Sequence, residues 1–145
     1  MPLDWKLLAT QLFGAGHGIQ AEGDFLHGTP LLDGAPVTVG GTTGHAPIGV
    51  ALALAQARVV LDTIAQHPGR PIVLLIDTQG QQLRRRDELL GINRAMAHLG
   101  MAIDLARRSG HRGTGCGAAR DGRGTGSRAR AAAIALRAAG RACGR

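Results

Sequence analysis

The chain has 145 residues and a formal net charge of +7. Residues 1–111 hold nine basic and nine acidic residues, whereas residues 112–145 hold eight arginines and one aspartate. The positive charge therefore belongs to the C-terminal tail alone, and a nucleic-acid-binding patch spread over the whole protein is excluded.

The tail has too few large apolar residues to form a core, since Ile134 and Leu136 are its only two. Both cysteines, Cys116 and Cys143, also lie there and show no paired spacing. We therefore expect no disulfide framework and a reducing, cytoplasmic location. Six scattered histidines without an HxH or HExxH motif argue against a metal site.

Neither a secretory signal nor a membrane span is expected. Charged residues at Asp4 and Lys6 interrupt the place where the apolar part of a signal would begin. The longest apolar stretch, residues 46–65, contains Gln56, Arg58 and Asp62, so it is predicted to be an amphipathic helix.

The first elements are a short helix over residues 4–13, a glycine-rich segment over residues 14–18 and a β-hairpin over residues 24–42. The hairpin is predicted because apolar residues flank the turn signal Asp33-Gly34. A helix with one buried face follows, and its apolar residues recur at spacings of three and four: Val50, Leu54, Ala57, Leu61 and Ile64.

The run PIVLLI at residues 71–76 is short, continuously apolar and rich in β-branched residues. It predicts a strand in the middle of a sheet, covered on both faces. The next three residues, Thr78, Gln79 and Gly80, are predicted to form a loop that leads into a helix. A strand, a glycine-containing loop and a helix in this order are typical of an oxyanion site made of backbone amides.

The helix predicted over residues 88–108 has Asp87 and Glu88 at its positive end, and Gly110 acts as its stop signal. Its predicted apolar stripe is Leu89, Ile92, Met96, Leu99, Ile103 and Ala106. In an alternating α/β pattern a buried strand should follow. Because GTGCGAARDGRGTG stands there instead, we expect the pattern to stop at this point.

Four segments together resemble the gamma subunit of biotin-independent malonate decarboxylase. They are GDFLHGT at 23–29, GTTGHAPIG at 41–49, ALALAQARVVLDTIAQHPGRPIVLLIDTQGQ at 51–81 and LRRRDELLGIN at 83–93. The DTQG sequence also resembles, more loosely, the Asp-Thr-Pro-Gly loop of the carboxyltransferase subunits of biotin-dependent carboxylases, with Gln79 in place of the proline.

The resemblance implies an α/β protein with an incomplete crotonase-like fold of ββα repeats, followed by a disordered or Ala-rich helical tail. It also implies a decarboxylase subunit that converts malonyl-S-acyl carrier protein to acetyl-S-acyl carrier protein. The implied partners are a beta subunit, in a hetero-oligomer, and an acyl carrier protein. The chain itself would bind no cofactor, because the phosphopantetheine-type group belongs to the carrier protein.

The site residues follow from this resemblance. Gly80 is expected to supply an oxyanion amide, with Gln79 and Thr78 beside it. His45 is a candidate contact for the substrate carboxylate, and a plain helix-entry residue is the alternative. Three arginines are further candidates: Arg84, Arg85 and Arg86. They are expected either to bind a phosphate or an acidic carrier surface, or only to be solvated.

The family's second amide comes from a Ser-Gly-Gly type segment after the next strand, which this sequence lacks. The sequence therefore predicts two parts: residues 1–111, the N-terminal part of a crotonase-like carboxyltransferase domain, and residues 112–145, a tail that is out of frame or disordered. The alternatives to an enzyme subunit are a non-catalytic truncated fragment that docks on a partner and, more weakly, a nucleic-acid binder acting through the tail.

Overall fold

The computed structural model describes residues 4–117, which form both strands and helices. In chain order they are α1 (Trp5–Phe13), β1 (Gln20–Glu22), β2 (Phe25–Gly28), β3 (Leu31–Leu32), β4 (Ala35–Pro36), β5 (Thr38–Thr42), β6 (Ala46–Ile48), α2 (Val50–Gln66), β7 (Ile72–Ile76), β8 (Thr78–Gln81), α3 (Arg85–Leu89), α4 (Ile92–Arg108) and β9 (Gly113–Gly117).

The main sheet has five strands in the order β1-β2-β5-β7-β9. The pairs β1–β2 and β2–β5 are antiparallel, whereas β5–β7 and β7–β9 are parallel. Two small sheets accompany it: the hairpin of β3 and β4, and a parallel pair of β6 and β8. The predicted hairpin region is confirmed, and its turn residues Asp33 and Gly34 both have positive φ, at 51° and 81°.

Strand β7 separates two hydrophobic layers because successive side chains of a strand point to opposite faces. Val73 and Leu75 pack with buried residues of α1 and of the antiparallel strands. Ile72 and Leu74 pack instead with α2 and α4. The prediction of a central strand covered on both faces is confirmed.

Helix α1 forms where the sequence predicted it. The Asp4 carboxylate accepts hydrogen bonds from the backbone amides of Lys6 and Leu7, which satisfies two amides at the helix start. Leu8 and Leu12 face the sheet, so α1 covers the side of β7 that the other helices leave open.

The buried face of α2 differs from the predicted stripe by about one residue. Ala53, Ala57 and Val60 are buried, whereas the predicted Leu54 is 45% exposed. Small side chains allow close approach to the sheet, and the buried Thr63 hydroxyl donates to the Val59 carbonyl. Apolar periodicity therefore predicted the helix correctly and placed Val50, Ala57, Leu61 and Ile64 against the core, but not Leu54.

The helix predicted over residues 88–108 is two helices. Gly91 has φ of 79°, a left-handed conformation that ends α3, and α4 starts at the next residue. Leu89 consequently lies outside the core, at 77% exposed, while the buried residues of α4 are Ile92, Ala95, Leu99, Ala102 and Ala106.

The expectation that the α/β pattern stops after Gly110 is wrong. Residues Gly113–Gly117 form β9, which pairs in parallel with all five residues of β7. Glycines are weak strand formers, but a parallel neighbour supplies hydrogen bonds that composition does not reveal. The predicted tail beyond residue 117 lies outside the described residues, and the boundary at residue 111 stays a prediction.

Candidate active site

The sequence-predicted site lies at the carboxyl ends of two neighbouring parallel strands. Thr42 is the last residue of β5, and Asp77 follows the last residue of β7. The open end of parallel strands in an α/β sheet is the usual place for a ligand, because loops from adjacent strands converge there. The carboxyl end of β9, at Gly117, pairs with Ile76 and so lies at the same edge.

Two hydrogen bonds between Thr42 and the backbone of Asp77 fix this edge. The Asp77 amide donates to the Thr42 hydroxyl at 3.0 Å, and that hydroxyl is 3.1 Å from the Asp77 carbonyl oxygen, to which it donates. Both residues are buried. The side chain of Thr42 therefore holds the start of the DTQG segment in place.

The residues Thr78, Gln79 and Gly80 form a strand rather than the predicted loop. They belong to β8, which pairs with β6, and only afterwards does the chain reach α3. Gly80 has φ of 107°, which a side-chain-bearing residue rarely adopts. The segment thus runs from strand to strand to helix.

The Gly80 amide already has a partner. It donates to the Thr78 hydroxyl at 2.9 Å, and this hydroxyl is 3.1 Å from the Gly80 carbonyl oxygen. Such a local bond between a threonine side chain and the backbone two residues later is common in turns. Gln79 is exposed beside it. An oxyanion at Gly80 would have to replace the hydroxyl, and the catalytic role of these three residues stays a prediction.

His45 lies next to this segment and contacts Asp77. Its backbone has φ of 64°, an uncommon conformation for a residue other than glycine. The Nδ1 atom of His45 is 3.4 Å from Oδ1 of Asp77, whose side chain is only 6% exposed. The structure therefore brings the predicted substrate contact to the DTQG segment.

Asp87 caps the amino end of α2 instead of the helix that follows it in sequence. Its carboxylate accepts the Val50 amide and the Arg84 side chain, each at 3.0 Å. A Cβ atom at Gly49 would lie 2.7 Å from the Asp87 Oδ1 atom, so a larger residue there would displace the capping carboxylate. The hydrogen bond from the Val50 amide is the main reason that the pKa of Asp87 is lowered, and Arg84 adds to it against the effect of burial.

The three predicted binding arginines do not act alike. Arg84 pairs with Asp87, whereas Arg85 and Arg86 begin α3 with exposed side chains. The structure therefore commits Arg84 to a structural ion pair and leaves the other two on the surface beside β8. Binding by any of them stays a prediction.

Within residues 4–117, no group of three or more His, Cys, Asp or Glu side chains is arranged to hold a metal ion. No helix of that part of the chain is long and apolar enough to cross a membrane.

Sequence reasoning did not identify three contacts at this edge. They are made by Thr42 with the Asp77 backbone, by Asp77 with His45, and by Asp87 as the cap of α2. These contacts join positions more than thirty residues apart, so neither periodicity nor spacing marks them. The one local signal is Gly49, which directly precedes a helix without a capping side chain of its own.

Comparison with known proteins places the chain in a defined group. The family model "malonate decarboxylase gamma subunit" matches residues 43–120, which is more than half of the chain and extends beyond the predicted boundary at residue 111. A search of curated proteins found no match.

Solved structures give the same result for the fold. A Pseudomonas malonate decarboxylase hetero-tetramer in complex with malonate is similar at 25% identity and a TM-score of 0.60, over 74% of this chain and 49% of that one. A Pseudomonas MdcD-MdcE hetero-dimer is similar at 23% identity and a TM-score of 0.64, over 78% and 49% of the two chains.

The beta subunit of P. aeruginosa geranyl-CoA carboxylase is similar at 17% identity and a TM-score of 0.66, over 79% of this chain and 22% of that one. The chain spans about half the length of the malonate decarboxylase chains that it matches. The fold is crotonase-like, as the resemblance implied. Because the gamma-subunit model matches more than half of the chain, including the DTQG segment, the chain belongs to the malonate decarboxylase gamma subunit family.

Proposed function

We propose that this chain is a subunit of a complex that decarboxylates a malonyl group held as a thioester on an acyl carrier protein. The products are carbon dioxide and the acetyl thioester. The observation that carries the proposal is the DTQG segment, anchored by Thr42 at the carboxyl edge of β5 and β7 in a chain of this family.

The chemistry needs a site for negative charge rather than a nucleophile. When the bond to the carboxylate breaks, its electron pair moves to the α carbon and on to the thioester oxygen, which gives an enolate. Preorganised donors at that oxygen lower the barrier, and each one contributes about 100- to 1,000-fold in kcat. A backbone amide at a glycine suits this role because no side chain blocks the approach.

Gly80 fills that role by an exchange of partners. The Thr78 hydroxyl now accepts the Gly80 amide at 2.9 Å. An enolate oxygen is charged, and hydrogen bonds to charged acceptors are roughly twice as strong as neutral ones. Rotation of the threonine side chain would therefore release the amide to the enolate, and Gln79 lies next to it as a further polar contact.

The partners proposed are a homologous beta subunit, in a hetero-oligomer, and the carrier protein, in the cytoplasm. The malonate decarboxylase structures similar to this chain are a hetero-dimer and a hetero-tetramer, which supports the assembly. The phosphopantetheine arm enters as part of the substrate. Arg85 and Arg86 are exposed beside β8, where a phosphate or an acidic carrier surface would pass.

The test is decarboxylation of a malonyl-carrier thioester by the full chain assembled with its beta subunit. Gly80→Ala should lower kcat about 100-fold, because a β-carbon strains the backbone at φ of 107° and displaces the donor amide. The matched control is Gly69→Ala, at a turn with φ of 76° and equally open surroundings. It also places an alanine at a positive φ, in the turn before β7.

Equal losses in the two variants would mean that strain, and not the Gly80 amide, causes the defect. A wild-type assembly that forms but releases no carbon dioxide would favour the alternative of a non-catalytic fragment that docks on its partner. Binding of nucleic acid that falls steeply with salt and disappears on removal of residues 118–145 would favour the weaker alternative.

A further inference from the structure

In the contact between His45 and Asp77, the donor and the acceptor can be assigned. An ionised carboxylate only accepts hydrogen bonds, so the proton between the two groups belongs to Nδ1 of His45. Among the described residues, the other ring nitrogen, Nε2, has no hydrogen-bond partner, and 23% of the side chain is exposed. A ligand at the DTQG edge can therefore meet Nε2.

The surroundings hold Asp77 for this contact. The Thr42 hydroxyl accepts from the Asp77 amide at 3.0 Å and donates to the Asp77 carbonyl oxygen at 3.1 Å, and the Asp77 side chain is nearly buried. The left-handed backbone at His45, together with the start of β6 at the next residue, places the imidazole over the end of β7. The two halves of the pair thus come from separate segments, the residue before β6 and the residue after β7.

We infer that Asp77 is a positioning residue that fixes the tautomer and orientation of His45, and that His45 Nε2 delivers the proton that completes decarboxylation. The inference rests on the proposed function. Loss of carbon dioxide leaves an enolate, whose α carbon takes a proton from Nε2–H of the imidazolium to give the acetyl thioester. The neutral ring keeps the Nδ1 proton, which it donates to Asp77 in a hydrogen bond, and Nε2 takes up a new proton from water.

An aspartate can position such a histidine whether the ring is neutral or charged. In both states the carboxylate accepts a hydrogen bond from Nδ1–H, and its negative charge stabilises the imidazolium that holds the transferable proton. General acids positioned in this way contribute about 100- to 10,000-fold to a rate. The other reading of His45, as a contact for the substrate carboxylate, requires no particular tautomer once the ring is charged.

The tautomer can be measured by ¹⁵N NMR of the histidine rings in the full chain at alkaline pH, where each ring carries one proton. Two other histidines act as internal references. His17 Nδ1 accepts the Ile19 amide at 3.1 Å, so His17 must carry its proton on Nε2. His111 Nδ1 lies 3.0 Å from the Arg70 carbonyl oxygen, so His111 must carry its proton on Nδ1.

His45, assigned with the His45→Gln variant, is expected to give the His111 pattern. In Asp77→Asn the amide can turn either its oxygen or its nitrogen to the ring, so the His45 signals should shift toward a mixture of tautomers. This variant should fold, because the bonds to Thr42 involve only the backbone of residue 77. A wild-type His45 with the His17 pattern, or no response to Asp77→Asn, would overturn the positioning role.

Kinetics of the assembled complex separate the two roles of His45. If His45 is the proton donor, His45→Gln lowers kcat by about 100-fold and leaves KM nearly unchanged, and Asp77→Asn causes a smaller fall of the same kind. A raised KM with unchanged kcat would overturn proton delivery in favour of carboxylate binding. If the wild-type complex is inactive, the proposed function and the proton transfer fall together, whereas the NMR result still decides the pairing.

Discussion

Strands β5 and β7 approach so closely at Gly41 that a single methyl group should disrupt the candidate site. A Cβ atom there would lie 2.0 Å from the Leu75 carbonyl oxygen and 2.9 Å from the Leu75 amide nitrogen. Ordinary van der Waals contacts of a Cβ atom begin at 3.4 Å, so the strands would have to separate by more than an ångström. These neighbouring atoms are backbone, and no side-chain rotation relieves the overlap.

The adjacent Gly40 is the matched control. A Cβ atom there would meet only the Leu74 and Val59 side chains, at 3.6 and 3.7 Å, which is normal van der Waals contact. Gly40→Ala should therefore be neutral, or more stable by up to about 1 kcal/mol, because alanine restricts the unfolded chain. Gly41→Ala should cost about 3 kcal/mol or more, the upper range for overpacking, since main-chain hydrogen bonds are also lost.

The difference can be measured by thermal and urea unfolding, followed by circular dichroism. At about 4 °C for each kcal/mol in a domain of this size, the Gly41→Ala protein should melt ~12 °C or more below the Gly40→Ala protein. Shifts in amide NMR signals should concentrate at Thr42 and Asp77, which the strand separation pulls apart. Free energies of unfolding that agree within about 1 kcal/mol for the two variants would refute the close approach of β5 and β7 at Gly41.

Two further predictions concern charge. The lowered pKa of Asp87 means that its ionised form stabilises the fold above about pH 4. This contribution is lost as the pH falls through the lowered pKa. The Asp87→Asn protein should therefore melt at a lower temperature than wild type at pH 7, and the two melting temperatures should become equal in acid. Asp104→Asn, at an exposed carboxylate, is the control and should change the melting temperature less, with the change removed by salt; equal effects would refute the capping role. Reversing the charge of Arg85 and Arg86 to glutamate should raise KM for a carrier-bound thioester about tenfold and leave a free pantetheine thioester unaffected, and equal KM changes for both substrates would exclude carrier docking.

Elements whose signal is local could be predicted from the sequence. The short helix predicted over residues 4–13, the Asp33-Gly34 turn and the apolar run of β7 each depend on signals within a few residues, and all three are confirmed. The fold class followed from the resemblance rather than from these elements. The family model and the solved structures then confirmed it.

The packing of the helices was predicted less well, because periodicity cannot tell which apolar residues meet the sheet. Leu54 is larger and more apolar than Ala53, yet Ala53 is fully buried and Leu54 is half exposed. Close packing of α2 between the sheet and α4 favours the smaller side chain. Gly91 was likewise read as part of one helix, although its left-handed backbone divides α3 from α4.

Strand β9 was missed for a related reason. The sequence Gly-Thr-Gly-Cys-Gly has almost no strand propensity of its own, and the residues after it are mostly Arg, Ala and Gly. Its pairing with β7 places it in the sheet residue by residue, from Gly113 opposite Ile72 to Gly117 opposite Ile76. A segment that pairs with a strongly apolar strand can form a strand through the hydrogen bonds of that neighbour, even when its own residues have little strand propensity.

The cap on α2 limits where an anionic intermediate can bind. A helix amino terminus near the DTQG edge would normally attract an anion, since its amides are unpaired and its potential is positive. At α2 the Val50 amide is already bound to Asp87, whose carboxylate would repel a second negative charge. Asp87 therefore disfavours the end of α2 as an oxyanion site. The Gly80 amide of β8 is held instead by a neutral threonine hydroxyl, which a charged oxygen can displace.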